Sequence, residues 1–505
     1  MRQMIKIEKN YLRIPVSMET SEKNMILKSG EEILYQCMAP LHTEEHPGEP
    51  AFYAELPVEK WKGLEAEILA EDCSDVSFVQ ADERMERRES LYPFIHFAPA
   101  SGWINDPCGL CYYHGEYHLY FQHNMFSKGW NNMSWGHAVT KDLLHWEQKK
   151  EALLPDRHGA VFTGSAVVNE QGMLGIPKDA MIMCYTSAGN RTLWSKGEQF
   201  DQRYAWSLDG ENFTKLEKAA LPYIVYENRD GKLYRHEETG RWFMILFLEG
   251  HDYAVFVSED MEEWTMTQRF TCPVCWECPD LVQVRVKDSD EKKWVFWTPD
   301  GYYQVGEFDG SVFTPQQDYR RVYGNMMAYA AQTFANTGER ILQIPWLRRM
   351  MPYPYPYNGI MGLPREMELI RQDGSYILAL HPAEEIERAS VFTEKEHTAG
   401  RKVCETGDRE GALRWKIRNC GNHSFELNVC GFRMGWDSDR KCLDIGIHEF
   451  AQPQTIEDLD IIADRGIVEI GMNSDTIVYY LNADLKMQRG FSFEGDAGIT
   501  AGVIR

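Results

Sequence analysis

Apolar residues along this chain fall in short runs, alternating or continuous, and each run is closed by Gly, Asp, Asn or Pro. Tyr117–Gln122, Ala180–Thr186, Trp242–Leu248, Ala254–Ser258 and Lys293–Thr298 are examples. Runs of this length with turn residues at both ends read as β-strands. Amphipathic segments long enough for helices are scarce, so the pattern predicts an all-β chain. A spaced repeat organises the middle of it. Asp142, Asp209, Asp260 and Asp309 are each followed four residues later by an aromatic (Trp146, Phe213, Trp264, Phe313), and successive Asp residues stand 67, 51 and 49 positions apart. Each unit reads as a turn between two short strands, with Asp bonding its own backbone and the aromatic packing behind it. Repeats of roughly 40–50 residues that hold several strands point to propeller blades. Four repeats and a last unit around residues 325–370 predict five blades.

The flanks differ. Residues 1–92 carry strand-like patches, Tyr11–Val16 and Ile33–Gln36, and then a charged stretch, Asp82–Glu89, that reads as a linker. A small N-terminal β domain is expected, with sugar binding, oligomer contact and simple packing all open as its role. Residues 384–505 alternate strand-like runs with turns (Phe425–Val429, Ile467–Met472, Thr476–Leu481). The expected division is therefore 1–92, 93–383 and 384–505.

At 505 residues the chain exceeds one ordinary core. Its 53 basic and 77 acidic residues leave a net charge of −24, which argues against nucleic acid and anionic membrane surfaces and favours a small neutral substrate. No run of ~20 apolar residues is present to span a bilayer, and Met1–Lys9 lacks the apolar stretch of a secretory signal. The expectation is a cytoplasmic protein whose 12 cysteines are reduced thiols. Fifteen tryptophans suit either a large core or sugar-binding faces.

Three distant segments each offer a carboxylate beside aromatic, Gly or Pro residues: Trp103-Ile104-Asn105-Asp106-Pro107, Asn228-Arg229-Asp230-Gly231 and Trp276-Glu277-Cys278-Pro279-Asp280. Cleaving a glycosidic bond with retention takes one ionised carboxylate as nucleophile and one protonated carboxyl as acid/base. Asn105 and Pro107 preset the backbone around Asp106, so its carboxylate projects from a strand end. Trp276, Cys278 and nearby carboxylates would raise the pKa of Glu277, while Arg229 would keep Asp106 ionised; that separation assigns Asp106 as nucleophile and Glu277 as acid/base.

The order and neighbours of these carboxylates closely resemble glycoside hydrolase family 32, the invertase, inulinase and levanase family. Further stretches carry the resemblance: His96-Phe97-Ala98-Pro99, Tyr120-Phe121-Gln122-His123-Asn124, Trp135-Gly136-His137-Ala138-Val139, Phe162-Thr163-Gly164-Ser165, Tyr329-Ala330-Ala331-Gln332-Thr333-Phe334 and Leu363-Pro364-Arg365-Glu366. The resemblance implies a five-bladed propeller followed by a β-sandwich, and hydrolysis of terminal β-linked fructosyl units from sucrose or fructo-oligosaccharides. It implies that Asp230, with Arg229 beside it, grips two sugar hydroxyls, and that Asn105, Gln122, Trp130, Phe162, Ser165 and Trp346 line the sugar pocket. The retaining geometry sets the two catalytic carboxyls about 5–5.5 Å apart. The chain departs from the family pattern at Cys108, Gly231 and Pro345, positions that bear on substrate choice and rate.

Other readings stand beside this one. Fructosyl transfer to another sugar uses the same residues, and a non-catalytic sugar binder is a second alternative. Cys108-x2-Cys111 and Cys272-x2-Cys275-x2-Cys278 have metal-site spacing, but Cys278 follows the acid/base as it does in the family and alternation separates Cys275 from Cys278, so buried thiols are expected and no metal or cofactor. Tyr353, Tyr355 and Tyr357, interleaved with Pro352, Pro354 and Pro356, form a stiff loop that either rims the pocket or merely connects. The extra β domain favours a homodimer.

Overall fold

The computed structural model describes residues 1–45, 48–352, 354–405, 411–418, 423–445, 448–451, 455–482 and 490–505. Five antiparallel sheets follow one another along the chain as propeller blades, each built from consecutive strands. Blade 1 comprises Gly102–Tyr113, Glu116–Asn124, Ser134–Thr140 and Glu147–Gln148; blade 2 comprises Ala160–Val168, Met181–Ala188, Phe200–Ser207 and Thr214–Leu221. Blade 3 comprises Arg229–Arg235, Trp242–Phe247, Asp252–Ser258 and Thr265–Thr271; blade 4 comprises Asp280–Arg285, Lys292–Trp297, Tyr302–Phe308 and Phe313–Pro315. Blade 5 comprises Ala328–Thr333, Leu342–Leu347, Arg365–Gln372 and Ser375–Pro382. Its long excursion between second and third strands sends Tyr357–Asn358 back to pair in parallel with Gly102–Trp103, which closes the ring. Blades pack face to face, so strands such as Met181–Ala188 and Trp242–Phe247 are buried on both sides. That is why they read as continuous apolar runs.

The Asp repeat marks the turn between the third and fourth strands of blades 1 to 4. In each, the Asp Oδ1 accepts two backbone N–H bonds: from Leu144 and His145, Glu211 and Asn212, Glu262 and Glu263, and Ser311 and Val312. The residue after each Asp is left-handed (Leu143, Gly210, Met261, Gly310), a conformation these side-chain bonds help to hold. Blade 5 makes the same connection with the two residues Asp373-Gly374, too short for the motif, so the repeat stops at four.

The N-terminal region forms two small sheets, one of Arg2–Lys6, Glu65–Ala70, Lys23–Ser29 and Glu32–Ala39, the other of Phe52–Pro57, Tyr11–Val16 and Val79–Ala81. Their shared core takes in Met125 and Phe126 from blade 1. Glu384–Ala389, a short helix, leads from blade 5 into the C-terminal sandwich. There the long strand Gly490–Ile504 bends through both layers, pairing with Phe425–Val429 in its first half and Ala412–Arg418 in its second. The seam between propeller and sandwich is ionic. His96 places Nδ1 2.9 Å from Asp464 and Nε2 3.1 Å from Glu469, and Arg365 donates to Glu469 at 2.6 Å. Asp464 also accepts the backbone N–H groups of Phe94, Ile95 and His96. Burial opposes charge on His96, but these two carboxylates outweigh it and raise its pKa to about 9.

Candidate active site

The first strands of blades 5, 1, 2 and 3 lie side by side around the propeller axis, and each bulges at one end. Pairing with the second strand shifts between Ile104 and Pro107, Phe162 and Gly164, Arg229 and Lys232, and Tyr329 and Gln332. A bulge aims two adjacent side chains to one side, where alternation would part them. Here it delivers Asn105 with Asp106, Phe162 with Thr163, and Arg229 with Asp230 to one pocket, which Gln122, Trp130, Glu277, Tyr329 and Trp346 complete. Gly164 makes one bulge feasible: a Cβ there would lie 2.0 Å from the Cys184 carbonyl oxygen. Asp230 pays a conformational penalty, with φ of 63°. Glu277 and Cys278, before blade 4, are consecutive left-handed residues with φ of 51° and 40°. Such strain persists only where the surroundings enforce it. Tyr253 O–H donates to the Glu277 carbonyl at 3.1 Å, and Cys278 N–H donates to Asp230 Oδ2 at 3.1 Å.

The three carboxylates share partners. Asp106 accepts from Thr163 Oγ1 at 2.7 Å and Asn105 Nδ2 at 3.1 Å, and Trp103 Nε1 fixes Asn105 at 2.8 Å. The Cys278 Sγ lies 3.4 Å from both Asp106 Oδ2 and Asp230 Oδ2, so its single S–H sits between two acceptors. Glu277 accepts from Arg229 Nη2 at 2.9 Å and from the Tyr329 hydroxyl, which in turn accepts from Trp276 Nε1 at 3.1 Å. Burial and the charge of Glu277 raise the pKa of Asp106. Burial, opposed by Arg229 and reinforced by Glu277 and Asp106, pushes Asp230 up to about 7.

Two expectations need correction. Arg229 is not the partner of Asp106. It bonds Glu277, lies 3.7 Å from Asp230 and stacks over Phe247, because the bulge that carries it faces the Glu277 turn. Asp106 is therefore oriented by neutral donors, and its pKa moves up. Ser165 does not line the pocket. It is buried, donates to the Gly231 carbonyl at 3.1 Å and accepts from Leu233 N–H at 2.9 Å, so its hydroxyl ties blade 2 to blade 3.

The other expected residues reach the pocket. Gln122 donates to the Val161 carbonyl at 3.0 Å and to the Cys108 sulfur at 3.6 Å, which turns its amide oxygen to other partners. Trp130 is 51% exposed and sets its ring edge-on to Phe162, 5.7 Å between centroids. Trp346 packs edge-on against Trp103 and Tyr329. Thr163 and Tyr329 bond the carboxylates directly yet stood in the sequence only as members of longer motifs; alternation assigns Thr163 to the wrong face until the bulge is known. Asp280, at the end of its motif, turns to Thr333, Tyr234 and Lys232 in the interior.

The cysteine clusters come apart. Cys275 approaches Asp300 at 3.5 Å, Cys111 bonds the Tyr112 carbonyl and Cys278 faces the carboxylates. Among the described residues no group of three His, Cys, Asp or Glu is arranged to hold a metal ion. In the aromatic loop Tyr357 turns inward, stacks on Tyr92 and donates to the Leu91 carbonyl, so it connects rather than rims; Tyr353 lies outside the described residues.

Residues 96–382 match the family described as glycosyl hydrolases family 32, N-terminal domain. The extracellular exo-inulinase of Aspergillus awamori is 33% identical over 346 residues, 57% of this chain and 64% of that protein. The levanase of Bacillus subtilis is 32% identical over 333 residues, 59% of this chain and 46% of that protein. The chain thus spans less than two thirds of these curated relatives. The crystal structure of the Aspergillus awamori exo-inulinase superposes with a TM-score of 0.74 at 24% identity, over 83% of this chain and 99% of that one, which places the propeller and sandwich in one known fold.

Proposed function

The chain belongs to glycosyl hydrolase family 32, and from that premise we propose that it removes terminal β-D-fructosyl units from sucrose or fructo-oligosaccharides with retention of configuration. The observation that carries this reading is the convergence of Asp106, Asp230 and Glu277 in one pocket. At about 170 Å³ the pocket is well below the roughly 300–1,000 Å³ that takes drug-sized ligands, which suits a single sugar ring with the rest of the substrate outside. Asp106, held by Thr163 and Asn105, attacks the anomeric carbon. Glu277 gives its proton to the departing oxygen, leaving a fructosyl ester on Asp106. Glu277 then takes a proton from water, whose oxygen displaces Asp106 and releases fructose. Asp230, with Arg229 alongside, binds two ring hydroxyls more tightly as the ring flattens toward the oxocarbenium-like state.

With Asp230 pushed up to about 7 by burial and its carboxylate neighbours, the pocket carries a proton close to neutral pH. The ten cysteines whose side chains are described are free thiols, which supports the cytoplasm as its compartment. The test is time-resolved product analysis with sucrose, 1-kestose, inulin and levan. Prompt fructose from short substrates, abolished in Glu277→Gln, is expected. Longer oligomers would indicate transfer, and no turnover of any fructoside would defeat the reading.

A further inference from the structure

The N-terminal domain lies outside the residues that match the family, yet its side chains end on the segment that bears Trp130. Glu22 accepts from Ser127 Oγ at 3.0 Å through one carboxylate oxygen and from Asn131 Nδ2 at 2.8 Å through the other. Met38 and Asn132 exchange two bonds, Met38 N–H to Asn132 Oδ1 and Asn132 Nδ2 to the Met38 carbonyl, both 2.8 Å. Asn132 is left-handed, with φ of 47°, so these bonds fix a conformation its backbone does not prefer. Phe126 is buried in the N-terminal core, 5.8 Å from the Tyr35 ring. From the opposite side Asn124 and Asn358 hold the carbonyls of Gly129 and Lys128. Trp130 thus stands on a bridge with one footing in each domain.

A second bridge lies beside it. Gln36, buried in the N-terminal domain, accepts from Trp194 N–H at 3.0 Å. That anchors the loop bearing Arg191, whose guanidinium lies 5.4 Å over Phe200. Phe200 meets Phe162 edge-on at 5.7 Å, and Phe162 meets Trp130. Both bridges therefore support one aromatic wall, and Phe162 and Trp130 at its near end line the pocket.

We propose that the N-terminal domain is a working part of the sugar site: through Glu22, Met38 and Gln36 it sets the position of the Trp130–Phe162–Phe200 wall and thereby the affinity for the saccharide. Glu22 is a positioning residue that acts through Trp130. The inference rests on the fructoside reading of the pocket. It separates from a packing role because packing would affect melting, whereas wall position affects substrate binding and leaves the chemical step alone.

The test is a double-mutant cycle between Glu22→Ala and Trp130→Ala in the full chain, with sucrose and nystose as substrates. Glu22→Ala is expected to raise KM about five- to tenfold, the scale of an aromatic contact, with kcat within about twofold and at most a small drop in Tm for its two lost hydrogen bonds; Glu22→Gln, which keeps one acceptor, recovers part of the loss. In the Trp130→Ala background Glu22→Ala should add almost nothing, because coupled residues are not additive. An equal effect of Glu22→Ala in both backgrounds, an unchanged KM, or a loss confined to Tm overturns the inference. Calorimetric binding of nystose to Asp106→Asn, with and without Glu22→Ala, judges the wall even if wild type turns over no fructoside. Weaker binding in the double variant supports the inference, and equal or absent binding in both overturns it.

Discussion

At the seam between propeller and sandwich two buried carboxylates, Asp464 and Glu469, face two cations, His96 and Arg365; in the pocket three carboxylates, Asp106, Asp230 and Glu277, face one cation, Arg229. At the seam burial works against ionisation, but His96 on Asp464 and Arg365 on Glu469 outweigh it and hold both carboxyls below their ordinary range. In the pocket Arg229 and the neutral donors offset only part of the burial, and Asp106 and Asp230 are raised. Equal numbers of charges build a fixed joint; an excess of one sign leaves a proton that can be moved. The contrast separates a structural ion cluster from a catalytic one by charge balance, where burial alone would not.

The largest effect is expected at Asp106: Asp106→Asn should lower kcat by about 10⁴-fold or more, ~5 kcal/mol of barrier, with no loss of melting temperature at neutral pH, because its carboxyl is raised by burial. Asp464→Asn should do the reverse. Leaving His96 without its partner costs about 3–5 kcal/mol of stability, read by thermal melting, while kcat/KM of the folded fraction at low temperature stays near wild type. Asp230→Asn should lose activity yet gain stability. A carboxyl raised from its usual value to about 7 favours the fold below its unfolded pKa of about 3.9, and that contribution is lost as pH rises through 7. The advantage of Asn over Asp should therefore grow between pH 4 and 7 and then level off, at a few kcal/mol at most, as pH-dependent melting would show.

His96 titrates in the other region. Raised to about 9, its contribution is full below its unfolded pKa of about 6.5 and is lost as pH rises through 9. His96→Gln should flatten the stability profile between pH 7 and 9. The smallest effect is expected at Ser165: Ser165→Ala costs about 1 kcal/mol for its lost blade-to-blade bonds and leaves KM unchanged, whereas a direct sugar contact would raise KM.

The sequence made the blades legible because the Asp turn acts locally: one side chain, two amides and an aromatic four residues on are enough, and where blade 5 replaces that turn with Asp373-Gly374 the repeat vanishes. The three carboxylates were legible because each sits in a distinctive local frame. What was not legible depends on register. Thr163 and Ser165 stand two residues apart in a strand, yet the bulge at Phe162–Gly164 gives one to Asp106 and the other to blade 3. Chemistry alone pairs Arg229 with Asp106, and only the fold shows that Glu277 is its partner. Nothing local in Ala463–Ile470 announces a role; it supplies Asp464 and Glu469, whose partners are more than 100 residues away in sequence.

A retaining displacement through Asp106 and Glu277 fixes the configuration of the first product. Wild type is incubated with sucrose and methanol, and the methyl fructoside formed at early times is assigned by NMR, since it does not mutarotate. Methyl β-D-fructofuranoside is expected, with none formed by Asp106→Asn. The α-anomer, or the same β-product from Asp106→Asn, would contradict the retaining displacement.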